Sequence, residues 1–100
     1  MSDNIMSPNE ALKYLLSTDE EYAKAAAWAH FQEDQKKTTL AVLMANSPET
    51  SVSAARMHAE ASPGYKQAVV NYRDAVLDRE TMKAKRKSAE YAIELYRAGS

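Results

Sequence analysis

Two long stretches of this sequence carry mostly apolar residues at alternating steps of three and four positions. In the later stretch the series is Ala68, Tyr72, Ala75, Arg79, Met82, Arg86, Ala89, Ile93 and Tyr96. In the earlier stretch it is Tyr22, Ala26, Ala29, Glu33, Lys36, Leu40 and Leu43. This spacing is the signature of helices that pack as a coiled coil. We therefore predict that the two stretches form a long antiparallel helical hairpin.

Serine, proline and acidic residues mark the helix boundaries. Each of the three prolines follows a serine, and Ser-Pro is a favourable helix start because serine caps the helix and proline fits its first turn. Two capping boxes, Ser7–Glu10 and Thr18–Glu21, predict two helix starts in the N-terminal part. We find no strand pattern and predict one all-α domain: a short N-terminal helix, a long helix, a short helical insert and a second long helix. Their predicted bounds are residues 8–16, 19–45, 51–61 and 63–97.

The hairpin also has a predicted register. Antiparallel folding brings Tyr22 towards Ile93, and it brings Tyr72 towards Leu40 and Leu43. The ends of the two series are apolar, so these contacts form the expected seam of the hairpin.

The middles of the two series are charged and meet in this register. Glu33 is expected to pair with Arg79 or Arg86, because a buried charge is tolerated when it is paired and costly when it is not. We expect such a pair to fix the register of the helices more than it adds stability.

The composition provides few large apolar side chains for a core. The chain has 100 residues, enough for one small domain, and its apolar fraction is rich in alanine, with one Trp and one Phe. Burial of apolar surface stabilises a fold by about 25 cal/mol per Å², so a small alanine-rich core contributes little. We therefore expect a homo-oligomer that completes the core.

Two groups of apolar side chains lie away from the predicted seam. Tyr65, Val69 and Val76 form a second apolar side of the last helix, and one hairpin does not easily cover both sides. Trp28 and Phe31 stand on a separate face of the earlier helix. We expect Trp28 and Phe31 to pack on the short N-terminal helix; the alternative is a subunit interface.

Several classes of function are not expected. The chain has no cysteine, which excludes disulfides and thiolate chemistry. His30 has Glu33 and Asp34 one helical turn later, but no second such cluster completes a metal site. There is no phosphate-binding glycine loop and no nucleophile elbow, so neither an enzyme nor a cofactor is predicted. No apolar run approaches the length of a membrane span, and a cytoplasmic protein is the default.

A cationic cluster stands out in a chain whose net charge is −1. Five of the nine residues from 79 to 87 are basic: Arg79, Lys83, Lys85, Arg86 and Lys87. Arg79, Lys83, Arg86 and Lys87 share one side of the helix, whereas Lys85 points elsewhere. Together with Lys36 and Lys37 these four could form a basic band that contacts phosphates. The alternative is a solvated helix face with internal ion pairs.

Three segments of the chain resemble a known family. They are Gln35-Lys36-Lys37, the piece RMHAEASPGYK and the closing helix KAKRKSAEYAIELYRA. From about Tyr22 to Ala98 the chain is similar to the small helical UvsY-type recombination mediators of tailed phages. The resemblance implies a ring-like homo-oligomer that binds single-stranded DNA and helps to load a recombinase onto DNA coated by a single-strand-binding protein, without catalysis, in the cytoplasm of an infected bacterium. It implies DNA contacts by Lys36, Lys37, Arg56, Lys83, Arg86 and Lys87.

A recombination mediator is therefore the leading hypothesis from the sequence. The alternative is a helical protein–protein adaptor or inhibitor. In that case Arg79 and Arg86 serve internal pairing, and Trp28 and Phe31 become more important for binding.

Overall fold

A computed structural model describes residues 6–99 of the chain. They form three helices, α1 (Pro8–Ala45), α2 (Val52–Glu60) and α3 (Pro63–Gly99). No strand occurs between residues 6 and 99. The prediction of an all-α fold is confirmed.

Serine side chains cap the start of each helix. The Oγ of Ser7 accepts a hydrogen bond from the Glu10 amide (3.2 Å), that of Ser51 from the Ala54 amide (3.1 Å), and that of Ser62 from the Tyr65 amide (3.3 Å). Each bond satisfies one of the amides that a helix leaves without a partner in its first turn. Helix α2 is one residue shorter at each end than the predicted insert, residues 51–61, because Ser51 is its cap. Helix α3 begins at Pro63 as predicted but continues to Gly99, beyond the predicted end at residue 97.

The predicted division of the N-terminal part into helices 8–16 and 19–45 is wrong, because α1 runs through both without a break. The hydroxyl of Thr18 donates to the carbonyl of Tyr14 at 2.6 Å, and that of Ser17 donates to the same carbonyl at 3.1 Å. Both side chains therefore bond backwards to the preceding turn, as Ser and Thr do inside helices. Neither glycine nor proline lies between Pro8 and Pro48 to force an end.

The described residues divide into two compact units. The first comprises residues 6–26 and 78–99, and the second comprises residues 27–77. Helices α1 and α3 contribute to both units, and α2 belongs to the second.

In the first unit, α1 and α3 run antiparallel. Ala11, Ala89 and Ala92 are buried together, with Ile93 among the half-buried side chains around them. Farther from the chain ends, the guanidinium of Arg86 lies 5.3 Å from the centre of the Tyr22 ring. Tyr22 thus lies opposite Arg86, which is seven positions before Ile93, the partner that we predicted.

In the second unit the same shift occurs. The hydroxyl of Tyr72 donates to the Glu33 carboxylate at 3.4 Å, and the ammonium of Lys36 lies 4.6 Å from the centre of the Tyr72 ring. Glu33 and Lys36 each precede the predicted partners, Leu40 and Leu43, by seven positions. The predicted register is wrong by one heptad, which is the period at which the apolar pattern repeats.

The core of both units consists of alanine. Every buried apolar residue among residues 6–99 is an alanine: Ala11, Ala29, Ala55, Ala59, Ala68, Ala75, Ala89 and Ala92. Large apolar side chains instead remain on the outside, with Leu16, Leu77 and Leu95 each more than 60% exposed. Small residues let two helices approach closely, but they bury little apolar area.

Candidate functional site

The cationic cluster of α3 borders a small concavity in the first unit. Lys83, Arg86 and Lys87, together with Tyr22 and Glu90, line this space of about 170 Å³, which we call the basic concavity. Lys83 and Lys87 are one helical turn apart and exposed, and neither has a hydrogen-bond or ion-pair partner among residues 6–99. They are the two cations here that are available to a ligand.

Arg86, the third cation of the basic concavity, is bound internally. Its Nη1 donates to the carbonyl of Leu15 (3.1 Å) and to the Thr18 hydroxyl (2.7 Å), and its Nη2 donates to the carboxylate of Asp19. The guanidinium also stacks over Tyr22, and the side chain is only 16% exposed. Arg86 therefore ties α3 to α1 rather than presenting its charge to a ligand.

The predicted pairing of Glu33 with Arg79 or Arg86 is wrong, because each of the three side chains has a different partner. Arg79 pairs with the adjacent Glu80 at 3.2 Å, and Glu33 accepts its hydrogen bond from Tyr72. Arg86 pairs across the two helices, with Asp19 of α1, whereas the Arg79–Glu80 pair joins neighbouring residues of α3.

The remaining predicted DNA contacts belong to the second unit. Arg56 pairs with Glu60 one turn later on α2 (3.4 Å), and Lys36 lies against Tyr72. Lys37 is exposed without a partner among the described residues. Of the six DNA contacts that the resemblance implied, three have no hydrogen-bond or ion-pair partner among residues 6–99: Lys37, Lys83 and Lys87.

An aromatic pair is exposed on α1 in the second unit. The rings of Trp28 and Phe31 stack with their centroids 5.4 Å apart and their planes at 24°. Trp28 is 53% exposed and Phe31 is 48% exposed. The expected packing of this pair on a separate N-terminal helix is wrong, because that stretch is part of α1 itself. By contrast, Tyr65, Val69 and Val76 are half-buried.

The same side of α1 carries uncharged residues at steps of three and four. Trp28, Phe31, Gln35, Thr38 and Val42 form this series, and all five are exposed. We call it the aromatic stripe. Sequence reasoning found its two aromatic residues but missed its continuation, although the spacing of Gln35, Thr38 and Val42 could have shown it.

Neither metal binding nor membrane crossing has support between residues 6 and 99. No group of three or more His, Cys, Asp or Glu side chains is placed to hold a metal ion. No helix within that range has the length and hydropathy needed to cross a bilayer.

The comparisons with known proteins gave no relative. No protein family, no curated protein and no solved structure matched the chain.

Proposed function

We propose that this protein is a non-catalytic helical adaptor that binds another protein through the aromatic stripe of α1. The observation that carries the proposal is the Trp28–Phe31 pair, which is stacked and half exposed. Arg86, one of the six cations expected to contact DNA, is meanwhile bound internally.

The physical case rests on what large exposed aromatics do at interfaces. Tryptophan is enriched among the few interface residues that supply most of the binding energy, and aromatic rings bring large contact area at small entropic cost. Exposed apolar surface of this kind is unfavourable in isolation and marks an interaction site. The series from Trp28 to Val42 has the spacing that packs against another helix. The partner is therefore expected to present an amphipathic helix.

Trp28→Ala is expected to weaken binding of the partner by about 30-fold or more, the loss typical of a hot-spot residue of about 2 kcal/mol. Stability should change by no more than about 1.5 kcal/mol, because the side chain is half exposed and the contact it loses is the stacking on Phe31. The partner would be recovered from a lysate of the source cells on immobilised protein, purified and then titrated. Trp28 is the only tryptophan, so its fluorescence reports binding to the unmodified protein directly.

Leu77→Ala is the matched control for this experiment. Leu77 lies in the same unit, is 64% exposed and belongs to α3. Its replacement should leave partner binding intact. Equal binding by the unmodified protein and by Trp28→Ala would refute the adaptor proposal.

A second function is favoured by the basic concavity. We propose it as the alternative: a mediator that binds single-stranded DNA through Lys83 and Lys87, in a homo-oligomer that works with a recombinase and a single-strand-binding protein in a phage-infected cell. Two lysines on each subunit make a weak site for phosphates, and an oligomer multiplies it through avidity. The resemblance to the UvsY-type mediators supports this alternative.

The double variant Lys83→Gln/Lys87→Gln tests the mediator function. Binding to an oligo-dT strand would be titrated at several salt concentrations, and the slope of log K against log salt should fall by about 0.7 for each phosphate contact removed. Lys13→Gln/Lys66→Gln is the control, because both lysines are exposed and the change in net charge is the same. An equal loss in the two double variants, or no binding at low salt by the unmodified protein, would exclude DNA binding at the basic concavity.

A further inference from the structure

Helix α3 carries an uncharged stripe on the side opposite the one that packs on α1. Its positions in the first unit are Thr81, Ala84, Ser88, Tyr91, Leu95 and Ala98, and all six are exposed. The steps between them alternate between three and four, whereas most of the positions between them carry charges. The α1-facing side holds Arg86, Ala89 and Ala92 instead. The α3 stripe therefore has the pattern of a second coiled-coil seam with no partner.

A depression lies at the C-terminal end of the α3 stripe. Tyr91, Glu94, Leu95 and Ala98 surround it. Four side chains at these spacings on one helix form the hole that receives a single side chain from a facing helix in coiled-coil packing. Tyr91 is 55% exposed and Leu95 is 65% exposed, so the walls of the hole are apolar and open to solvent.

We propose that the α3 stripe binds the α3 stripe of a second copy of this chain in antiparallel orientation, with Ser88 opposite Tyr91 across a two-fold axis. In this register each large side chain faces a small one. Leu95 lies opposite Ala84 of the second copy, and Ala98 lies opposite Thr81. Layers that pair large with small residues keep the two helices at a constant distance.

Charge complementarity selects the same arrangement. Lys87 and Glu94 flank the stripe on one side and are exposed. The antiparallel register places Lys87 of each copy beside Glu94 of the other, which gives two attractive pairs related by the two-fold axis. A parallel dimer would instead stack Tyr91 on Tyr91 and Ala84 on Ala84, so that wide and narrow layers alternate along one seam.

This self-association uses α3 alone and does not rest on the adaptor or the mediator function. It also differs from the subunit interfaces expected from the sequence, which involved Trp28 with Phe31 or the half-buried side of Val69 and Val76.

Cysteine cross-linking tests the orientation, since the chain contains no cysteine. In the proposed dimer Thr81 faces Ala98 of the second copy, so an oxidised mixture of Thr81→Cys and Ala98→Cys proteins should form disulfide-linked dimers. Each variant alone should not, because its two cysteines are about 25 Å apart and a disulfide needs Cα atoms within about 7 Å. Cross-linking of Ala98→Cys alone would show a parallel dimer, and no cross-link in any sample would mean that the seam is unused; either result overturns the proposal.

Ala84→Arg tests the seam without cysteine. An uncompensated charge opposite the apolar side chain of Leu95 should raise the dimer dissociation constant at least about tenfold, measured by sedimentation velocity. Ala23→Arg, at an exposed alanine of α1, should leave the dimer unchanged. Circular dichroism checks that both variants keep their helix content. A dimer with unaltered affinity in Ala84→Arg would overturn the proposal, as would an unmodified protein that is monomeric.

Discussion

Replacing Arg86 by alanine is expected to lower the free energy of unfolding by about 2–3 kcal/mol. The side chain makes three hydrogen bonds to α1, through Leu15, Thr18 and Asp19, and stacks on Tyr22. Hydrogen bonds to charged groups contribute about 1.5–3 kcal/mol, and a cation over an aromatic ring adds about 0.5–2 kcal/mol. The combined loss stays below the sum of these values, because Asp19 is 60% exposed and is rehydrated in the variant.

Urea denaturation followed by circular dichroism measures this loss at one fixed protein concentration. Lys83→Ala is the matched control: it removes a nearby, exposed cation of the basic concavity and should change stability by no more than about 0.5 kcal/mol. Arg86→Lys should recover less than half of the loss, since an ammonium lacks the planar fork that reaches three acceptors. If Arg86→Ala were as stable as Lys83→Ala, the structural role of Arg86 would be wrong and its charge would be available for DNA.

Replacing Ala11 by leucine is expected to lower the free energy of unfolding by about 1–3 kcal/mol. Ala11 is 0% exposed and packs with Ala89, which is also 0% exposed. Because the methyl groups of Ala11 and Ala89 are both inaccessible to solvent, the three additional carbon atoms of leucine are expected to overpack the site and to force side chains or backbone to shift. A decrease in the free energy of unfolding is informative because leucine, which is more hydrophobic than alanine, would stabilise a core that has space for it.

Thermal unfolding of Ala11→Leu and of a control variant, Ala23→Leu, gives the comparison. Ala23 is exposed on the same helix, so its replacement should leave the melting temperature nearly unchanged. A loss of 1 kcal/mol corresponds to about 4–8 °C in a domain of this size. An increase in the melting temperature of Ala11→Leu would show that the two helices are farther apart than the alanine core indicates.

The helical class and most boundaries were predictable because they depend on local chemistry. Glycine and proline are scarce, and the serines that cap the helices stand directly before the segments with helical periodicity. The register was not predictable from the same pattern. A heptad repeat looks identical after a shift of seven residues, so it defines which face is buried but not which residues meet.

The predicted break in α1 before Thr18 was wrong for a related reason. Thr18-Asp19-Glu20-Glu21 has the composition of a capping box, but a threonine hydroxyl can equally bond the carbonyl four residues earlier. In the structure Arg86 of α3 donates to the side chains of both Thr18 and Asp19. A contact across 67 or 68 sequence positions leaves no local signal.

The sequence located the basic cluster, but it did not show which of its cations are free to bind a ligand. Whether a cation faces a ligand or an internal acid depends on what lies opposite, and this depended on the register that the pattern left open. Arg86 and Lys87 are adjacent and carry the same charge, yet the side chain of Arg86 is 16% exposed and that of Lys87 lies on the open surface.

The alanine core also determines how the fold responds to temperature. The heat capacity of unfolding rises with the apolar area that becomes exposed, by about 0.45 cal/K/mol per Å². The buried apolar residues between positions 6 and 99 are alanines, and larger side chains such as Ile93 are only half-buried around them. We therefore expect the heat capacity change to fall below the usual 12–15 cal/mol/K per residue. A smaller heat capacity change flattens the stability curve, and a modest maximum stability then extends over a wide range of temperature.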